Sequence, residues 1–104
     1  MSRITSTTVY VTYEGTLDER FDRSYYVEYH LPLVMQAWRR YGLECVAAFF
    51  PALTHVGTVV ICECIFRDET AIEAAFGSPE AVQVMADVAT FTDMSPKRLR
   101  VARF

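Results

Sequence analysis

A chain of 104 residues has room for one domain with a modest core, so a single domain is expected over residues 1–104. With 52% hydrophobic residues, 22% charged residues and a net charge of −3, the composition excludes a disordered chain and carries no basic footprint for nucleic acid or an anionic membrane. The opening MSRITSTTVY lacks signal-peptide architecture, and no apolar run approaches the ~20 residues of a membrane helix. No nucleic-acid or membrane partner is therefore expected, and the cytoplasm is the default location.

Ile4 to Tyr13, ITSTTVYVTY, is rich in β-branched and aromatic residues and reads as a strand. The polar EGTLDER connects it to a helix capped by Asp22, running from Arg23 to about Tyr41 and ended by Gly42. Leu43 to Phe50 is a second strand, PALTHVG a turn-like connection, and Thr58 to Phe66 a third strand. Asp68 opens a short helix in which Ile72, Ala75 and Phe76 share a face, and Gly77 stops it. Ser78-Pro79 then provides an N-cap and a proline at the first position of another helix. There Glu80, Gln83 and Asp87 form a polar stripe, with Ala81, Val82, Met85, Val88 and Ala89 on the opposite side. Lys97 to Phe104 is the fourth strand.

The order β-α-β-β-α-β predicts an α+β ferredoxin-like subunit, a four-stranded antiparallel sheet with its helices on one face. Two helices cover only one face. Yet the third strand is apolar on both, with Val60, Cys62, Cys64 and Phe66 on one side and Val59, Ile61 and Ile65 beside Glu63 on the other. The second strand repeats this, Cys45, Ala47 and Phe49 against Val46, Ala48 and Phe50. A half-exposed antiparallel sheet should alternate with polar residues. The sequence therefore predicts a homodimer packed sheet on sheet.

The helix stretch YYVEYHLPL holds the candidate chemistry. At 100° per residue Tyr26, His30, Leu33 and Ala37 share one side, while Glu28 and Arg39 mark the solvent side. Pro32 lacks an N–H and its ring crowds the carbonyl of Glu28, so a kink is expected that holds the inner face away from the sheet. An inward imidazole is a candidate general acid or base. On spacing alone, a neutral core histidine bonded to tyrosine or backbone is the favoured of the two readings. His55, in the turn, reads as a solvated loop residue.

Cys62 and Cys64 share a strand face; a thiol or metal pair is one reading and small core filler the favoured one, since no further ligand stands at metal spacing. No metal site is expected. Glu44 and Glu63 meet across the strands only in some registers. Trp38, Phe49, Phe50, Phe91 and Met94 are residue types more often found in plain core than in a ligand wall. No glycine-rich phosphate loop, nucleophile elbow or dinucleotide fingerprint is present.

FDRSYYVEYHLPLV, Phe21 to Val34, and AFGSPEAVQVMADVATFTD, Ala75 to Asp93, together resemble the EthD family, named from proteins associated with bacterial degradation of ethyl tert-butyl ether. The first matches the pattern F-D-x-x-Y-Y-x-x-x-H-x-P-L; the second matches F-x-S-P-E-x-x-x-V-x-A-D-x-x-x-F-T-D. The resemblance implies a dimeric α/β barrel, two ferredoxin-like subunits whose sheets close together with helices outside. It also implies an apolar cavity between helices and sheet, as in related cyclases, isomerases and monooxygenases. His30 matches the family's motif histidine and is the catalytic candidate, with Tyr26 beside it. Tyr13, Leu33, Trp38, Phe50, Phe91 and Met94 are the candidate ligand-contacting residues. The expected activity is cofactor-free proton transfer on a small hydrophobic carbonyl compound, of isomerase, cyclase, dehydratase or decarboxylase type. A non-catalytic binding or accessory protein of an oxygenase system is the alternative, and haem binding or monooxygenation ranks last.

Overall fold

Four strands and two helical layers make up the fold, seen in a computed structural model that describes residues 6–52 and 55–101. Strand β1 (Thr7–Thr16) is followed by a long helical run, β2 (Leu43–Phe49), β3 (Val56–Phe66), three short helices and β4 (Pro96–Val101). The sheet order is β2-β3-β1-β4, every pair antiparallel. This is the ferredoxin-like arrangement: each helical layer crosses from one strand to a second, leaving room for a third between them.

The strand ends differ from the sequence expectation. Ile4, Thr5 and residues 102–104 lie outside the described residues. At its other end β1 continues past Tyr13, because Glu14, Gly15 and Thr16 keep pairing with Thr58, Gly57 and Val56. Part of the supposed connection is thus ladder, and β3 starts at Val56. A register shift between Tyr13 and Glu14 turns both Val59 and Val60 into buried positions.

The first helical run is not one kinked α-helix. It comprises α1 (Arg23–Tyr25), a π-helical turn (Tyr26–His30), α2 (Leu31–Trp38) and a 3-10 turn (Arg39–Tyr41). Asp22 caps it by accepting from the Tyr25 amide at 3.0 Å. Gly42 ends it at φ 115°, where a Cβ would stand 2.5 Å from that of Ala71, so both conformation and space demand glycine. The second layer is α3 (Glu69–Phe76), α4 (Glu80–Ala86) and α5 (Val88–Phe91). Asp68 caps α3 through the Ala71 amide at 2.8 Å. Ser78 does not cap α4 with its side chain; its hydroxyl donates back to the Ala75 carbonyl at 2.6 Å and closes α3 instead.

The core lies between the helices and one sheet face, with Val9, Tyr13, Cys62, Cys64 and Phe66 meeting Tyr26, Trp38, Ile72 and Phe91. Each such side chain contributes about 1.5–3 kcal/mol by leaving water. On the other face Ile61, Ile65 and Ala47 are half-buried while Phe49, Leu99 and Val101 are exposed. The Tyr10–Glu63 hydrogen bond, 2.8 Å, lies at the centre of this face, with Thr8 and Thr12 on either side of Tyr10 along β1. Glu63 faces Tyr10 and Ala47 in the ladders, not Glu44.

The helix faces also need one correction. In α4 the inward residues are Ala81 and Val84, whereas Val82 (73%) and Met85 (52%) are exposed. The inward face of α4 is thus centred on Ala81 and Val84, and the helical run is interrupted only after it, at Asp87 between α4 and α5. Asp87, three residues beyond the buried Val84, lies on the side of the run that meets the first helical segment.

Candidate active site

Pro32 explains the π turn. In a regular helix its ring would press on the Glu28 carbonyl. Instead the preceding turn widens, and the Leu31 amide bonds the Tyr26 carbonyl five residues back. The wide turn consumes an extra residue, so the inward stripe beyond it is displaced by about one position. Val34 and Trp38 therefore line the cavity beneath the helix, where straight-helix geometry expected Leu33 and Ala37. Before the turn the expectation holds: Tyr26 and His30 are both buried, with rings stacked 5.3 Å apart.

The two segments that carry the family resemblance are lashed together. Arg20 donates to the carbonyls of Ala89 and Thr90 at the end of α5 (2.8 and 3.0 Å) and pairs with Asp93 at 2.9 Å. A cation at a helix C-terminus is favourably placed against the helix dipole. The Asp22 amide bonds the Phe91 carbonyl at 2.8 Å, and the Thr92 hydroxyl donates to the Arg20 carbonyl at 2.7 Å. Phe91 fills the space between, its ring within 4.7–5.8 Å of those of His30, Tyr26, Phe21 and Tyr13.

This clamp sets Asp87 against His30. His30 Nδ1 lies 2.9 Å from Asp87 Oδ2, and the Tyr25 hydroxyl donates to Asp87 Oδ1 at 2.7 Å. Burial holds the His30 imidazole below its ordinary pKa, against the opposing pull of Asp87. Burial also pushes Asp87 upward, but the hydrogen bonds from His30 and Tyr25 outweigh it and keep the carboxyl below its usual value. An ionised carboxylate only accepts, so the proton of the neutral ring is assigned to Nδ1, leaving the Nε2 lone pair free. Asp87 fixes the tautomer and is placed to stabilise the imidazolium once Nε2 gains a proton.

His30 opens onto a cavity of about 160 Å3 between helices and sheet. Tyr13, Tyr26, Trp38, Cys62 and Cys64 line it with aliphatic side chains of α2 and α4; Met85 and Arg98, both exposed, line its outer part. The Arg98 guanidinium sits 4.5 Å from the centre of the Phe76 ring. Burial first, then the neighbouring Cys62 thiol, keeps the Tyr26 phenol protonated far above its ordinary range; burial does the same for Tyr13. Cys62 and Cys64 have sulfurs 3.8 Å apart, and within this pair Cys64 is the thiol held protonated, by its bond to Cys62 and by burial. Among the described residues no cluster of three ligating side chains stands ready for a metal.

Of the residues singled out from the sequence, His30, Tyr26, Tyr13 and Trp38 come together around the cavity. Leu33 is half-buried and does not line it, and Phe50 packs against Tyr26 with Arg23 over its ring. Phe91 supports His30 from behind, and Met94 is buried near Gly15. His55 is exposed. Sequence reasoning overlooked Tyr25 and Asp87. Asp87 was absorbed into a polar stripe, although it stands in the V-x-A-D part of the motif that carried the resemblance.

Comparison with known proteins agrees with this architecture. The EthD domain model matches residues 14–95. An EthD-like protein from Ralstonia eutropha JMP134 has a TM-score of 0.81 at 21% identity, over 94% of this chain and 91% of that one. An EthD family protein from Bacillus halodurans C-125 has a TM-score of 0.72 at 15% identity, over 95% and 99%. A dimeric protein of unknown function and ferredoxin-like fold from Bacteroides fragilis NCTC 9343 has a TM-score of 0.54 at 9% identity, over 94% and 96%. Identities this low speak to the fold alone, and no curated protein matches the sequence. Among the described residues no helix is long and apolar enough to cross a membrane. With its two motif segments joined at His30 and the family model spanning most of its length, the chain belongs to the EthD domain family.

Proposed function

We propose that the protein binds a small, largely apolar carbonyl compound in the cavity and that His30 moves a proton on it. The observation that carries this reading is a buried, neutral imidazole held by Asp87 through Nδ1, beside an apolar cavity of about 160 Å3. His30 Nε2 takes a proton from the carbon next to the carbonyl; the C–H electron pair becomes the enolate, and the imidazolium is stabilised by Asp87. Return of the proton to a different atom completes an isomerisation, and collapse of the enolate with loss of a leaving group would complete an elimination. Tyr13, held protonated, is the hydroxyl donor for the developing oxyanion, and Tyr26 joins it by exchanging its bond to Cys62 for one to the ligand.

Acetophenone in D2O tests the proton step directly, through exchange of its methyl protons followed by NMR. The wild type is expected to accelerate exchange and His30→Ala to lose the acceleration while keeping its fold. A wild type that binds the ketone yet exchanges it no faster than buffer would replace this reading with that of a non-catalytic carrier.

The same reading includes a homodimer through the outer sheet face, supported by the exposure of Phe49, Leu99 and Val101 on an otherwise half-buried apolar surface. Light scattering on the purified protein should give twice the chain mass. Leu99→Asp should give the monomer, and a wild type that is monomeric at all concentrations would remove the dimer.

A further inference from the structure

Among the described residues, Arg98 is the one permanently charged side chain that lines the cavity beside His30. In the ladder it faces Val11, and Arg100 faces Val9, so both arginines stand on the helix side of the edge strand β4. The exposed Arg98 guanidinium lies against Phe76 at the end of α3, its Cζ 4.5 Å from the ring centre. Stacking of this kind occupies the flat face of the group and leaves its in-plane N–H donors free. Arg20, Arg40, Arg67 and Arg100 pair with Asp93, Glu80, Asp68 and Glu69, whereas Arg98 has no carboxylate partner among the described residues. A second cavity, of about 260 Å3, is lined by Val9, Phe76, Arg98 and Arg100. Phe76 and Arg98 are walls of both cavities. An apolar chamber at His30 thus adjoins one that presents two guanidinium groups and no carboxylate in its lining.

We infer that the ligand is a compact keto acid whose carbonyl-bearing body fills the first cavity while its carboxylate pairs with Arg98 in the second. This rests on the cavity being the ligand site, and it specifies what that site selects. The planar guanidinium fork matches a carboxylate with two parallel N–H donors, a pairing about twice as strong as a neutral hydrogen bond. Arg100, already paired with Glu69, leaves Arg98 as the cation with donors to spare. Pro96 faces Tyr13 in the ladder, so Arg98 stands two residues, about 6.8 Å, further along the strand. Tyr13 packs on Tyr26 and Tyr26 on His30, which places the proton-transfer groups at the opposite end from the arginine. A ligand bound the other way round would bring its carboxylate towards Asp87, a like charge beside His30. The first cavity, about 160 Å3, is close to the roughly 150 Å3 that accommodates a benzene ring in an engineered apolar cavity. The class that fits is therefore a monocyclic or similarly small ketone with one carboxylate at its far edge.

Two near-isosteric probes separate this from simple hydrophobic filling: 4-acetylbenzoate and 4-acetylbenzamide, which differ by one negative charge at pH 7. NMR titrations of labelled protein report through the methyl groups of Val11, Val34 and Val84 in the cavity and through the Arg98 Nε–H. At low ionic strength the acid is expected to bind about tenfold more tightly than the amide, about 1.4 kcal/mol, and to shift the Arg98 Nε–H. Arg98→Gln, a change at an exposed position, should bind both probes with equal affinity. Equal affinities for the wild type would overturn the inference; the cavity would stay the ligand site and Arg98 would be a charge that protects an edge strand. An acid preference that survives in Arg98→Gln would overturn the assignment to Arg98. If neither probe shifts a cavity methyl group, the cavity reading falls and the inference with it. The wild-type comparison needs no variant, so a poorly folding Arg98→Gln does not protect the inference.

Discussion

Substitution of Asp87 by asparagine removes a charge while keeping the shape of the side chain, and the structure sets the consequence for His30. The two side chains are 6% and 16% exposed, so solvent screening is limited. A hydrogen bond to a charged partner is worth about 1.5–3 kcal/mol, and one pKa unit corresponds to about 1.36 kcal/mol. Asp87 opposes the downward pull of burial on the imidazole. Its neutralisation should therefore lower the His30 pKa further, because the imidazolium loses the partner that favours it. Long-range 1H–15N correlation spectra through a pH titration measure both this shift and the tautomer. His55 is the only other histidine, so just two imidazole signals need assignment. Wild-type His30 should titrate below about 6.5 and carry its neutral proton on Nδ1. An unchanged or raised His30 pKa in Asp87→Asn would refute the electrostatic coupling, and an Nε2–H tautomer in the wild type would refute the base assignment.

A histidine whose folded pKa lies below its unfolded value binds fewer protons when folded, so stability rises with pH in the interval between the two. Urea midpoints should accordingly fall as pH drops below about 6.5, and His30→Gln should flatten that slope. Asp87 adds a loss at lower pH, where its depressed folded pKa is finally crossed. Phe91→Ala should cost about 3–5 kcal/mol in the same assay, since the ring is fully buried among Tyr13, Phe21, Tyr26 and His30; a loss below ~1 kcal/mol would mean that the site collapses readily onto the gap. Pro32→Ala restores an amide at position 32 and should let the turn tighten, with the Leu31 amide moving from the Tyr26 to the Val27 carbonyl. A crystal structure of the variant that keeps the π turn would assign its cause to packing instead of proline.

Much of the fold was legible in local chemistry. Asp22 and Asp68 cap the helices they precede, Gly42 adopts the left-handed conformation that ends the first run, and strands and helices follow one another along the chain in the order read from their residues. Position within a turn or a cap is decided by neighbours a few residues away, so the residue types carry the information. Tyr26 and His30 were placed inward by the same short-range geometry. Leu33 fell outside the cavity because a single wide turn changes the phase of everything after it.

The pairing at the heart of the site was not open to such reasoning. Asp87 and His30 are 57 residues apart, and nothing in α4 or the first helical run alone tells that a carboxylate of a seemingly polar stripe meets the imidazole. The Arg20 clamp on the end of α5 and the filling of the interior by Phe91 decide it, and both depend on how two layers dock. The sequence by itself determined the order of elements, their caps and the inward histidine, because each is a local preference. Tertiary structure alone decided which carboxylate meets that histidine and which tyrosine joins it, because packing between distant segments sets those relations.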